Sequence, residues 1–243
     1  FNRIKAFLLR EGGTEVLVER FIPGFEVALE GLLTDGRLQT LALFDKPDPL
    51  DGPFFEETIY VTPSRLPAEV RRAIDTVAEA AAKAVGLCQG PLHAELRVNE
   101  QGPWMVELAG RSIGGLCSSV LEFGTGVSLE ELILRHALGR DVAGVSRSGE
   151  AVGVMMIPIP AGGWLKEVNG VEAAKAVPLV QDVAISVKLN QRIVPLPEGV
   201  SYLGFIFAKG PTAVVVEQAL RDSHACLEFR IEPGLPILPI ASF

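Results

Sequence analysis

Apolar and polar positions alternate in short runs before any longer helical period begins. Residues 16–18 and 26–33 are apolar, β-prone stretches separated by ERFIPGF, where Pro23 and Gly24 mark a turn, and 38–44 reads as a third strand. The period then changes. From Pro67 to Val85 apolar residues fall at Val70, Ala73, Ile74, Val77, Ala80, Ala81, Ala84 and Val85, which is the spacing of one helical face. Pro67 suits the first turn of this helix and Gly86 its stop. LHAELRV (92–98) and WMVEL (104–108) return to strand character, and the five residues NEQGP between them predict an antiparallel hairpin. A further helix is predicted over 128–138, with Ser128 and Glu131 as a capping box, Leu129, Leu132 and Ile133 as its apolar face and Gly139 at its end. The opening FNRIKAFLLREGG also reads as part of an amphipathic helix.

The stretch 140–150 is polar and carries Gly and Ser, which places a domain boundary there. Beyond it, AVGVMMIPIP, the strand-like runs 182–188 and 202–208, the helix-like 212–222 and the apolar CLEFRI form a smaller α+β unit. The fold class expected is α+β: an antiparallel sheet with helices over 1–140, a small α+β domain over 150–232 and a tail over 233–243.

Composition narrows the function. With 243 residues, 48% of them hydrophobic, the chain can fill a real core, and no apolar run approaches the roughly 18 residues needed to span a membrane. A water-soluble protein is expected. The net charge of −8, without a lysine or arginine cluster, argues against nucleic acid as a partner. Cys88, Cys117 and Cys226 are odd in number and lack CxxC spacing, so neither a disulfide framework nor a zinc site is implied and a cytoplasmic location fits. The first residues lack the sections of a secretory signal, and with no initiator Met they lead us to expect preceding sequence.

The chemistry concentrates in the hairpin. Period-two geometry turns His93, Glu95 and Arg97 to one face and Leu92, Ala94, Leu96 and Val98 to the other, while Glu107 sits with Met105 on the second strand. If the loop is symmetric about Gln101, Val98 pairs with Trp104, Glu95 with Glu107 and His93 with Ala109. Opposed carboxylates repel unless something neutralises them, and paired carboxylate oxygens suit Mg²⁺. Pairing of Arg97 with either glutamate on an exposed sheet face is the other reading of the same spacing. Arg111, four residues after Glu107, can stabilise developing negative charge, and Gly114 and Gly115 allow backbone N–H groups to approach an anion. A surface arginine and a simple turn remain the alternative.

These segments resemble the ATP-grasp superfamily. The likeness rests on VLVERFIPGFE (16–26), on HAEL (93–96) and on VELAGRSIGG (106–115), in the family's order and approximate spacing. It implies that Glu19, Arg20, Phe21 and Ile22 form the adenine-binding linker, that Glu26 holds the ribose, that Glu95 and Glu107 bind Mg²⁺ (or Mn²⁺) bridging the phosphates of ATP, and that Arg111 acts on the reacting phosphate. The stretch GVMMIPIPAGGWLKEVNG, then VKLNQRIVPLPEGVSYLGFIFAKG and an E-x-A-L-R segment, is similar to the C-terminal domain of bacterial L-amino-acid ligases of the bacilysin-synthetase type. That resemblance implies an ATP-dependent carboxylate–amine ligase acting through an acyl phosphate on small-molecule substrates, amino acids or a related carboxylate and amine. A homodimer is compatible with it. The alternatives are a biotin-carboxylase-like enzyme that activates bicarbonate, and a non-catalytic ATP-binding protein.

Two departures from the family pattern matter. Ala109 stands where many members carry an asparagine two residues after the second metal glutamate, and His93, expected opposite it, either fills that gap or is a polar residue facing a wet cleft. The family's N-terminal domain and most of its nucleotide lid are expected before residue 1, so the chain by itself is expected to bind nucleotide weakly. Lys46 in FDKP reads as a second phosphate contact or as a solvated loop lysine, and Glu56 and Glu57 as residues pointing into the cleft from their loop or, the favoured reading, as a hydrated acidic pair. His136 and His224 are expected to be structural and Trp104 to be core on the hairpin's back face.

Overall fold

The computed structural model describes residues 1–10, 12–52, 54–124, 126–147 and 149–234. Helix α1 (Asn2–Arg10) is followed by strands β1 (Phe25–Thr34), β2 (Arg37–Lys46) and β3 (Ile59–Thr62), helix α2 (Ala68–Ala84), the hairpin β4 (Gly90–Asn99) and β5 (Gly102–Ala109), and a 3-10 turn at Cys117–Val120. Then come β6 (Glu122–Phe123), β7 (Val127–Ser128), α3 (Leu129–Ala137), β8 (Ala151–Ile157), β9 (Gly163–Asn169), α4 (Val171–Lys175), β10 (Val180–Ile185), β11 (Arg192–Ile193), β12 (Gly204–Gly210), α5 (Ala213–Ala225) and β13 (Glu228–Glu232). Eight strands make one sheet in the order β10-β12-β8-β3-β2-β1-β4-β5, with every neighbouring pair antiparallel. Strands from both halves of the chain thus share one sheet, and β11-β9-β13 form a smaller one. The tail expected over 233–243 lies outside the described residues from 235 onward.

Alternation decides what each face carries. On the back, α2 lays Ile74 and Ala78 on Val27 and Leu29 of β1, Leu43 of β2, and Ala94 and Leu96 of β4. Farther along, α5 packs Val216, Ala219 and Leu220 over Ile59, Val61, Met155 and Ile206. On the front, Phe44, Tyr60 and Met156 pack beneath Leu121, Phe123, Leu129 and Leu132 from the 3-10 turn to α3. The same face of β1, β2 and β4 also carries Glu26, Glu30, Lys46, His93, Glu95 and Arg97. Half of the capping box read from sequence is present, Ser128 accepting from the Glu131 N–H while the Glu131 side chain pairs with Arg135, and Pro67 stands just before the first turn of α2 rather than in it.

Several local expectations are corrected. No strand forms at 16–18; Leu17 and Val18 stand exposed, because no strand among the described residues runs alongside to pair with them. Between β4 and β5 the turn is shorter than the five residues expected: Asn99 pairs with Gly102, and the Asn99 side chain accepts from the Gln101 N–H. This moves the register by one, so Val98 pairs with Pro103 rather than Trp104, until a bulge between Met105 and Glu107 restores Glu95 opposite Glu107. Met105 consequently packs on the back against the α2 cluster rather than beside Glu107. Trp104 comes to lie opposite Arg97 and is 42% exposed, so it is not core.

Seating of α5 leaves no room at Gly153, where an added Cβ would stand 2.9 Å from Val216 Cγ1 and 3.0 Å from Leu220 Cδ1. Gly153→Val is expected to lower stability by about 1–3 kcal/mol through overpacking, read as a reduced urea midpoint. An unchanged midpoint would mean that α5 is loosely seated.

Candidate active site

The sheet's front face converges on Lys46. At the end of β2, opposite Glu26 of β1, its Nζ lies 2.8 Å from Glu26 Oε1, 2.7 Å from Glu57 Oε1 and 2.8 Å from Glu95 Oε1. Oxygens of these three carboxylates lie within 4.8 Å of one another, which only a cation between them makes tolerable. Burial opposes the lysine's charge, but Glu57, Glu95 and Glu26 outweigh it and raise the pKa, so the ammonium stays protonated. Nζ also lies 5.0 Å from the centroid of the Tyr60 ring, whose hydroxyl donates to Glu95 at 3.5 Å. Burial, then Glu57 and Glu95, hold that phenol in its neutral form. Lys46 is therefore not a solvated loop lysine, and Glu57 is not part of a hydrated pair.

Arg97 carries the second buried charge. Its Nε donates to Glu26 Oε2 at 2.8 Å, Nη1 donates to the Ile22 carbonyl at 3.0 Å, and Nη2 donates to the Leu50 carbonyl. It pairs with neither Glu95 nor Glu107, and the face it occupies is buried, not exposed. The guanidinium lies against Phe21 and Phe55, 4.8 and 5.7 Å from their ring centroids, and the two rings stack on each other at 6.2 Å. This fixes the end of the linker at residues 19–22, of which Glu19, Arg20 and Phe21 remain exposed. Beside it lies a cavity of about 420 Å³ lined by Arg20, Phe21, Ile22, Asn99, Gln101 and Trp104. Gly24 (φ 134°) lets the chain cross β4 closely, since a Cβ there would collide with the Val98 carbonyl.

Glu95 and Glu107 oppose each other in register. Burial works against ionisation of Glu95, yet the hydrogen bonds and charges of His93 and Lys46 prevail and hold its pKa at about 2. Glu107 is half-exposed at the mouth of the site, 3.4 Å from Arg111 Nη2, and Arg111 Nη1 donates to the Ser112 carbonyl at 3.0 Å. Among the described residues, the carboxylates that lie close enough together to hold a hard divalent cation are Glu26, Glu57 and Glu95; Glu107 faces Glu95 in register without joining that cluster.

His93 stands opposite Ala109, as the spacing predicts, but it is almost fully buried and does not face a wet cleft. Its Nδ1 contacts Glu30, and Nε2 lies 3.6 Å from Glu95 Oε1. Burial opposes protonation of the ring, but Glu30 and Glu95 overcome it and raise the pKa to about 9. Gly115 (φ 61°) passes so near Met156 that a Cβ would sit 2.8 Å from Sδ, whereas Gly114 has open space. His136 is structural as expected, buried with Nε2 2.8 Å from Thr34 Oγ1. Sequence reading missed Glu30 and Tyr60. Glu30 was accessible, being two alternations from Glu26 on one strand; Tyr60 was not, since β3 is only four residues long.

Two outcomes follow. The charge of His93 contributes stability that is full below about pH 6.5 and lost as pH rises through about 9. The melting temperature should therefore fall less across that window in His93→Gln than in the unsubstituted chain, and equal slopes would contradict this. Arg97→Met leaves buried Glu26 short of a partner and frees the Ile22 carbonyl, so a loss of about 3–5 kcal/mol is expected in urea titration; a negligible change would refute the clasp.

Comparison with known proteins matches both halves of the chain. Residues 4–120 match the ATP-grasp domain and 155–232 the L-amino acid ligase C-terminal domain 2. The structure superposes on an L-amino acid ligase from Bacillus licheniformis with a TM-score of 0.83 and 29% identity, covering 95% of this chain and 59% of that one. Among curated relatives, a D-alanine–D-alanine ligase from Geotalea uraniireducens is 32% identical over 130 residues, 50% of this chain and 40% of the relative. An alanine–anticapsin ligase from Bacillus subtilis is 29% identical over 109 residues, 44% of this chain and 22% of the relative. The chain spans less than half the length of either curated relative. With its two segments matched in this order on one fold, the chain carries an ATP-grasp domain over 4–120 followed by the C-terminal domain of the L-amino acid ligases over 155–232.

Proposed function

We propose that the protein joins two amino acids, or a similar carboxylate and amine, at the expense of ATP. The observation that carries this reading is the buried Lys46 among Glu26, Glu57 and Glu95, with Glu107 and Arg111 at the mouth of the same site. In the reaction proposed, a carboxylate oxygen attacks the γ-phosphorus of ATP and ADP leaves. The amine nitrogen of the second substrate then attacks the acyl carbon, phosphate departs, and the nitrogen gives up a proton.

Each side chain has a part in this reading. Glu19, Arg20, Phe21 and Ile22 form the edge against which adenine lies, and the Arg97 clasp orders that edge before nucleotide arrives, which reduces the entropy lost on binding. Glu26 takes the ribose hydroxyls through lone pairs left over from Lys46 and Arg97, since a carboxylate has about four acceptor sites. Lys46 is offered to phosphate oxygens that compete with its three carboxylates. Glu95 and Glu107 would hold Mg²⁺ or Mn²⁺, which when bound neutralises phosphate charge. Arg111, half-exposed and tethered among the described residues by Glu107 and a backbone carbonyl, is free to meet the charge that develops on the reacting phosphate. The Gly114–Gly115 backbone lines the same approach.

The test is ADP release by the product of the complete reading frame that contains this chain, against single and paired amino acids. Release that requires a pair, and that falls at least about 100-fold in Glu107→Gln, is the expected result. Release driven by bicarbonate would instead favour a carboxylase, and no release with any pair a non-catalytic nucleotide-binding protein.

A further inference from the structure

Glu30 is the most deeply buried carboxylate on the sheet's front face, 1% exposed, and the steps proposed above do not use it. It stands on β1 directly opposite His93 of β4. One oxygen, Oε1, contacts His93 Nδ1; the other, Oε2, accepts the backbone N–H of Ile113 at 3.0 Å. Ile113 is itself buried in the front cluster beside Cys117, and it lies two residues after Arg111 and immediately before Gly114 and Gly115. The segment from Arg111 to Gly115 therefore meets the buried front of the sheet through the Ile113 N–H on Glu30 and the Ile113 side chain, besides the Arg111–Glu107 contact at the mouth and the close approach of Gly115 to Met156. The ring held by the other oxygen turns Nε2 toward Glu95, 3.6 Å away.

We infer that Glu30 is a positioning residue for the site: one oxygen pins the Arg111–Gly115 segment to the sheet, and the other fixes the His93 ring that faces Glu95. This deepens the ligase reading and rests on it for the meaning of Arg111 and Glu95. Both contacts lie where water does not compete, so the geometry is fixed before substrate enters. A water-filled gap in place of Glu30 would let Arg111 drift, and misplacement by about 1 Å costs on the order of 100-fold in turnover. Glutamine at this position retains an acceptor for Ile113 and, with His93 neutral in its Nε2–H form, an N–H donor for Nδ1, whereas alanine retains neither.

The experiment has two arms. Amide hydrogen exchange on this chain, without substrate, is expected to show Ile113 exchanging at least about tenfold faster in Glu30→Ala and near the unsubstituted rate in Glu30→Gln. In the ADP-release assay, kcat is expected to fall about 10- to 100-fold in Glu30→Ala, with the KM for ATP within about threefold, and to recover in Glu30→Gln. Should Glu30→Ala fail to fold, Glu30→Asp, which keeps the charge but shortens its reach by one methylene, is read in the same way. An Ile113 amide as protected as before, or a freed amide with unchanged kcat, overturns the inference. Lack of ADP release by the unsubstituted protein counts against the ligase reading instead, and the exchange arm still decides whether Glu30 holds the segment.

Discussion

A single buried ammonium keeps the front of this sheet together. Glu26, Glu57 and Glu95 bring oxygens within 4.8 Å of one another, and Lys46 Nζ meets all three at 2.7–2.8 Å. From that point charges alternate in both directions. Glu26 reaches on to Arg97, which clasps the linker, and Glu95 leans toward His93, which contacts Glu30 and through it the segment after Arg111. Buried ion pairs of this kind contribute little net stability, because desolvation offsets most of their attraction. Their use lies elsewhere: charges already stripped of water and fixed in place act strongly on an incoming phosphate without reorganising.

The second half of the chain braces the same site from behind. Its strands β8, β12 and β10 continue the sheet beyond β3, and α5 contributes Glu217 and Arg221 to a run of ion pairs that returns to the loop after β2. Arg65 bridges Asp45 and Glu217 at 2.8 Å each, and Arg221 reaches Asp48 at 2.6 Å. Asp48 accepts from the hydroxyl of Thr58, the neighbour of Glu57. The segment that delivers Glu57 to Lys46 is thus anchored on a helix of the second domain. Asp45 Oδ1 is the one buried side-chain oxygen on this path without a partner among the described residues.

Periodicity made much of the fold legible. The helices over 67–85 and 128–138 emerge close to their predicted limits because capping residues and a clean apolar stripe mark both ends. The pairing of Glu95 with Glu107 is reached from sequence only because two departures cancel, a tighter turn at 100–101 and a bulge at Val106. The same bulge turns Met105 to the back, beside α2, which alternation cannot foresee. Lys46 and Glu57 were visible as residues but not as partners, since they stand eleven positions apart and the loop between β2 and β3 brings them together only in the fold. Strand β3, with four residues, is too short to show a period, and Tyr60 was lost with it.

The most direct test of the central role of Lys46 is the melting temperature of Lys46→Met with and without a divalent cation. In chelator, the variant should melt well below the unsubstituted chain at neutral pH, and added Mg²⁺ or Mn²⁺ should recover much of the loss by taking the ammonium's place among Glu26, Glu57 and Glu95, with little effect on the unsubstituted chain. An unchanged melting temperature in chelator, or a loss that no cation relieves, would contradict the view that one cation holds these carboxylates together.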